Sequence, residues 1–199
     1  MASDLRDQLA RAIARRKVAS SDFDLNPEVV LPEGRKLRPA GVLMAIDTSG
    51  GEPRMILTQR SSALKHHPGQ VAFPGGKVDP GDDGPVGAAL REAHEEIGLP
   101  PDNVEVLGQL PGHETITGFD MVPVVGLIRE PFDWRPEPGE VAEVFSVPLA
   151  HLVDPARYAI QYRRWRGERR YYYTVPFGPY YIWGATARVL RAFADSWAP

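Results

Sequence analysis

An α+β fold is what this sequence predicts, a mixed β-sheet with helices packed on it. Three observations carry that expectation. Twenty prolines and nineteen glycines cut the 199-residue chain into short elements. Apolar runs of strand length stand beside amphipathic stretches of helical period. The order of these elements is mixed, not a regular βαβ alternation, which argues against a dinucleotide-binding fold.

The N-terminal stretch "MASDLRDQLARAIARRKV" predicts a helix, with Leu5, Leu9 and Ile13 at spacings of four. Packing on the domain is its expected role. Its cluster of Arg11, Arg15, Arg16 and Lys17 leaves a membrane-surface or targeting role as the alternative. Residues 20–38 read as irregular. "AGVLMAI" (40–46) is a buried strand and "MILTQR" (55–60) a second, joined by the turn "DTSGGEPR" into a hairpin. "SSALKHHPGQ" reads as loop or short helix, and "VAFPGG" as one short strand ending in a glycine pair.

The clearest helix is "PVGAALREAHEEIG". Pro85 suits its first turn, Asp82 or Asp83 can cap it, and Gly98 can end it. Val86, Ala89, Leu90, Ala93 and Ile97 form its apolar face. Strands follow at 104–110 and 121–128, around the turn-like "PGHETITGFD". A strand running into a short helix is expected at 143–152, and a hairpin turning at Arg166-Gly167-Glu168 around 158–175. "IWGATARVLRAFADSW" closes the chain as a helix. Residues 1–38 are thus an N-terminal helix and irregular arm, and 39–199 the main domain.

Composition narrows the function classes. The chain is 43% apolar and 25% charged, the profile of a soluble globular protein. A net charge of −3 gives no reason to expect nucleic acid as a partner. There is no cysteine, hence no disulfide, thiolate nucleophile or thiolate metal site, which fits a reducing, cytoplasmic setting. No apolar run approaches the roughly 18 residues needed to span a bilayer, so no membrane partner is expected.

One helix breaks local rules. Glu92, Glu95 and Glu96 stand at i, i+3 and i+4, where like charges destabilise by about 0.2–0.5 kcal/mol per pair. They also crowd the helix C-terminal end, whose dipole prefers cations. Such breaks are expected at functional sites. A hard divalent cation, Mg2+ or Mn2+, is the simplest chemistry that relieves clustered carboxylates. A solvated acidic face balanced by Arg91 is the alternative. Gly75-Gly76 lie sixteen residues before Glu92, where glycine backbone can approach a ligand and a carbonyl can add a ligand atom.

These residues resemble a known family. The Nudix hydrolases carry a box, G-x5-E-x7-R-E-U-x-E-E-x-G-U, with U a bulky apolar residue. "REAHEEIGL" (91–99) fits its second half, with Ala93 as a small U. Counting back from Arg91 puts Asp83 where Glu is expected, and one residue is inserted after Gly76. Both departures resemble those of one branch, the coenzyme A diphosphatases (CoA pyrophosphatases). That branch carries L-L-T-x-R-[SA]-x3-R-x3-G-x3-F-P-G-G directly before the box. This chain reads "ILTQRSSALKHHPGQVAFPGG" (56–76), with Ile56 for Leu and Lys65 for Arg.

The resemblance implies an α/β/α sandwich, a mixed sheet packed between helices, over residues 39–199. It implies a metal-dependent hydrolase cleaving coenzyme A or its derivatives to 3′,5′-ADP and (acyl-)4′-phosphopantetheine. Mg2+ or Mn2+ would be held by Glu92 and Glu96, with Glu95 completing or supporting the cluster and the Gly76 carbonyl as a further ligand. Arg91 would pair with a box carboxylate. Glu92, Glu140 or Glu143 would be the general base, Glu140 by swinging in on a Pro/Gly-rich loop. Arg60, Lys65, Gly69 and Gln70 would bind substrate, and His66 and His67 stand where they can meet phosphates. "YRRWRGERRYYY" reads either as an adenine and phosphate site or as a solvated hairpin with arginines stacked on aromatic rings. Another nucleoside diphosphate derivative (NADH, ADP-ribose) is the second substrate reading, and a non-catalytic ligand-sensing domain the third.

Overall fold

The computed structural model describes residues 2–65, 67–165 and 167–197. His66 and Arg166, which figure in the expectations above, lie outside the described residues.

The central element is β2 (Arg38–Asp47), seven of whose ten residues are buried. Val42, Met44 and Ile46 join one core cluster, and Leu43 and Ala45 the other. A strand whose alternate residues are apolar on both sides has to lie between two layers. β2 runs parallel to β8 (Phe119–Ile128) and antiparallel to β3 (Arg54–Arg60). The predicted hairpin is real but brief, since β2 and β3 pair only at Ile46–Met55 and Asp47–Arg54. The rest of that edge of β2 belongs to β5 (Gly75–Lys77).

The stretch read as one strand, "VAFPGG", is therefore two. β4 (Val71–Ala72) pairs with β3, and β5 pairs with β2. The break falls at Phe73-Pro74, where proline has no N–H for a ladder and its carbonyl accepts from Leu43 N–H instead.

The sheet path is β1-β7-β8-β2-β3-β4, with β6 (Val104–Gln109) on β8 and β9 (Val141–Pro148) on β3. β1 (Ser20–Ser21) and β7 (His113–Glu114) are two-residue strands, the first in a stretch read as irregular and the second in one read as turn-like. A buried network ties them together, since His113 bonds Ser20 Oγ at 2.9 Å and Asp22 Oδ1 at 3.2 Å.

On one face of the sheet lie α1 (Ala2–Arg15) and α4 (Gly184–Trp197), which put Leu9, Ala12, Leu190 and Phe193 into the first cluster. On the other lies α2 (Gly84–Ile97), with Ala89, Ala93 and Ile97 in the second. The result is the α+β sandwich that the sequence predicts. β9 leads into the single-turn α3 (Leu149–Leu152). β10 (Ala159–Trp165) and β11 (Glu168–Thr174) form a separate two-stranded sheet. Among the described residues no helix is long and apolar enough to cross a membrane.

Candidate active site

Helix α2 delivers the site. Its apolar face is spent on the sheet, so Glu92 and Glu96, one turn apart, lie along the boundary between helix and β5. Glu96 is 4% exposed. Its Oε2 accepts from Gly75 N–H at 3.0 Å. Burial pushes its carboxyl up to about 7, and the Glu92 charge adds to the rise. The Gly75 N–H and the Arg60 charge pull the other way. Burial also raises Glu92, against the opposing pull of Arg91. Gly76 has no room for a side chain, because a Cβ there would overlap the Glu92 carboxylate.

The third acid comes from far along the chain. One carboxylate oxygen from each of Glu92, Glu96 and Glu140 lies within 4.8 Å of the others, the one such group among the described residues. Three carboxylates that close, one of them buried, repel each other unless protons or a cation intervene. An all-oxygen set with no thiolate or imidazole suits Mg2+ or Mn2+.

Glu140 stands beside the cluster on a segment bonded to its surroundings. Its segment, Arg135-Pro136-Glu137-Pro138-Gly139-Glu140, is tied at three places. Arg135 N–H donates to Ile97 O at 2.9 Å and Glu137 N–H to Glu96 O at 3.0 Å, while Glu140 O accepts from Ser61 N–H at 2.8 Å. The first two bonds satisfy carbonyls that the end of α2 would otherwise leave open.

Arg91 organises the acids around it. It donates Nε to Asp82 Oδ1 at 2.9 Å and Nη2 to Asp82 Oδ2 at 3.0 Å. Its Nη1 reaches Glu92 Oε1 and Glu95 Oε2, each at 3.0 Å, and Nη2 also reaches Lys77 O at 3.2 Å. The bond from Arg91, helped by Asp79 N–H, holds the Asp82 carboxyl below its ordinary range. Glu95, with its side chain 56% exposed, sits outside the carboxylate trio.

Asp82, not Asp83, is therefore the acid facing the box arginine. Asp83 is exposed at the N-cap and makes no side-chain cap bond. Counting back from Arg91 missed this because eight residues, not seven, separate Asp82 from it, while five separate Gly76 from Asp82 as the box expects. A signal was present, since Asp79-Pro80-Gly81-Asp82 is a proline–glycine turn. Asp82 N–H donates to Asp79 O at 3.1 Å, and Asp79 N–H to Asp82 Oδ2 at 2.8 Å. Glu137-Pro138-Gly139-Glu140 repeats the pattern, with Glu140 N–H to Glu137 O at 3.0 Å. Each turn presents its last acid to α2.

The remaining residues flank this centre. Arg60 ends β3, and its Nε is buried without a hydrogen-bond partner. The loop after it closes back, with Arg60 N–H to Gln70 O at 2.9 Å and Gly69 N–H to Arg60 O at 3.1 Å. Lys65, His67 and Gly69 are exposed on that loop. Glu143 is placed elsewhere. Its neighbour Val144 packs toward α2, so alternation along β9 turns Glu143 to the opposite face. There its Oε1 accepts from Tyr180 OH at 2.6 Å. In the hairpin, Arg163 lies over Trp183 and Arg169 over Tyr162, with ring-centre distances of 4.9 and 4.6 Å.

Comparison with known proteins gives the family. A family model described as the NUDIX domain matches residues 37–166. An uncharacterized Nudix hydrolase, NudL of Salmonella heidelberg, is 41% identical over 174 residues, 87% of this chain and 90% of its own. Among solved structures, the Nudix hydrolase RenU from M. smegmatis is similar at a TM-score of 0.49 and 26% identity, over 58% of this chain and 73% of its own. A MutT/nudix family protein from Enterococcus faecalis is similar at 0.48 and 16%, over 98% and 74%.

Sheet, helix and family match define a hydrolase of diphosphate bonds. The chain belongs to the Nudix family.

Proposed function

We propose that this chain is a coenzyme A diphosphatase, cleaving coenzyme A or an acyl or oxidised form to 3′,5′-ADP and the matching 4′-phosphopantetheine. The observation that carries the substrate assignment is the stretch 56–76, which joins the branch motif to the box without interruption. Arg60, within that motif, keeps a buried Nε unpaired. The Arg60 charge lies close enough to act on Glu96, and a guanidinium beside a carboxylate cluster is suited to an anionic phosphate oxygen.

In this reading Glu92 and Glu96 hold Mg2+ or Mn2+, with Glu140 and the Gly76 carbonyl as further donors. When bound, the ion supplies positive charge that neutralises the diphosphate and acidifies water. Arg91 keeps Glu92 in place through Nη1, which also reaches Glu95, while its Nε and Nη2 grip Asp82. Arg60 receives a phosphate, with Lys65, Gly69 and Gln70 shaping the loop around it. Glu140, exposed yet held beside the cluster, would turn one carboxylate oxygen to the ion and take the proton of the attacking water on the other. A purely ligand-sensing domain fits less well, because binding alone does not require the full set of Arg91, Glu92, Glu95 and Glu96.

The test is chemical. The purified chain is incubated with coenzyme A and Mg2+ or Mn2+, and the products are identified. Formation of 3′,5′-ADP and 4′-phosphopantetheine is expected. Intact coenzyme A alongside cleaved NADH would sink the substrate assignment, and binding without cleavage of any candidate would favour the sensor.

A further inference from the structure

We propose that residues 135–140 form a rigid strut built onto the end of α2, and that Gly98 is the positioning residue that sets how far Glu140 reaches into the carboxylate cluster. The inference rests on reading Glu140 as a member of the cation site.

The sequence of the strut explains its rigidity. In extended chain, successive N–H groups point to opposite sides. Those of Arg135 and Glu137 point at α2 and are bonded to it. The alternate positions are Pro136 and Pro138, which have no N–H to leave open and whose φ is locked by the ring. The following turn closes twice on Glu137, whose carbonyl accepts from both Glu140 and Val141 N–H. The segment is solvent-exposed throughout, so no hydrophobic packing holds it. Its place is fixed by the helix carbonyls at one end and Ser61 at the other.

Gly98 sits at the hinge of this assembly. At φ +74 it is the left-handed residue that ends α2, with its own N–H on His94 O at 3.0 Å and the next on Ala93 O at 3.4 Å. A Cβ at that position would stand 3.0 Å from Arg135 Cβ and 3.4 Å from its Cγ. A side chain there strains the backbone and also pushes the start of the strut away from the helix. A push at Arg135 is carried along the segment to Glu140, because proline locks two of its φ angles and backbone bonds hold Glu137, Glu140 and Val141.

The test is the Mn2+ affinity of the full chain without substrate, read by electron paramagnetic resonance. It compares wild type, Gly98→Ala and the Pro136→Ala/Pro138→Ala pair, each with and without Glu140→Gln. The proline pair lies on the exposed surface and gives the answer even if Gly98→Ala does not fold. Gly98→Ala, the proline pair and Glu140→Gln should each weaken Mn2+ about ten-fold. In the Glu140→Gln background the strut changes should add nothing, because they act through Glu140. Losses that multiply to about a hundred-fold would overturn the proposal. So would unchanged Mn2+ affinity in both strut variants or in Glu140→Gln alone. None of these outcomes bears on which diphosphate is cleaved, which the product assay reads separately.

Discussion

Arg91 grips Asp82 with two parallel bonds, Nε to Oδ1 at 2.9 Å and Nη2 to Oδ2 at 3.0 Å. That fork leaves Nη1 to bridge Glu92 and Glu95. The box arginine is thus anchored from the loop side before it touches the helix acids, and its charge offsets the repulsion among them.

Asp82→Asn weakens the anchor while Asp83→Asn leaves it intact. Loss of such an orienting partner typically costs about ten- to a hundred-fold. Turnover should fall by that much in Asp82→Asn and stay near wild type in Asp83→Asn. A loss in Asp83→Asn with none in Asp82→Asn would return the anchoring role to Asp83.

The two candidate bases outside the helix, Glu140 and Glu143, separate in the same way. Glu140 lies within the carboxylate trio, whereas the Glu143 carboxylate is engaged by Tyr180 on the far face of the sheet. Glu140→Gln should lower kcat by about a hundred-fold or more, the range of a lost general base. Glu143→Gln should stay within about two-fold, as for a surface change. A large loss in Glu143→Gln with none in Glu140→Gln would reverse the assignment.

Gly76 tests the closeness of helix and β5. A methyl group there meets the Glu92 carboxylate, which must move. Misplacing a catalytic group by about 1 Å can cost on the order of a hundred-fold. Gly76→Ala should show that loss in kcat, together with weaker metal binding and a nearly normal circular dichroism spectrum. Unchanged activity would mean that Glu92 can shift freely.

The metal-free protein should lose stability as pH rises. The Glu96 carboxyl titrates at about 7 when folded, against 4.5 as its ordinary value. Between those values the folded state binds more protons than the unfolded one, so stability falls with rising pH. The cost is fully present above about 7 and on the order of 3 kcal/mol. Glu92 is shifted in the same direction. Differential scanning calorimetry from pH 4.5 to 7.5 in a chelator should show Tm of wild type falling relative to Glu96→Gln. Added Mn2+ should raise Tm most at the high end. Parallel Tm curves for the two proteins would contradict a buried, proton-holding Glu96.

Much of this was legible because local pattern and tertiary environment agree. The apolar run in β2 reads as buried on both faces, and it is. The period of Ala89, Ala93 and Ile97 gives the packed face of α2, and the acids on its other side follow. Elements fixed by their partners were not legible. β1 and β7 are two residues each and exist through pairing to one another and to β8. Pro74 splits one expected strand into β4 and β5 because two different neighbours claim the halves. Asp82 was lost because the count ran back from Arg91 across the extra residue, whereas the count forward from Gly76, with five residues between, lands on it. The Glu140 segment looked mobile from its prolines and glycine, yet those prolines fall where no donor is needed. The direction of Glu143 depends on the β9 register, which no local pattern states.

The central claim, that this site cleaves coenzyme A, is tested most directly by kcat/KM. Coenzyme A, NADH and ADP-ribose are compared side by side on one metal-loaded preparation. The account predicts a value for coenzyme A at least about ten-fold above the others, the discrimination that about 1.4 kcal/mol of differential transition-state binding gives. Comparable values for all three, or a higher value for NADH or ADP-ribose, would contradict it.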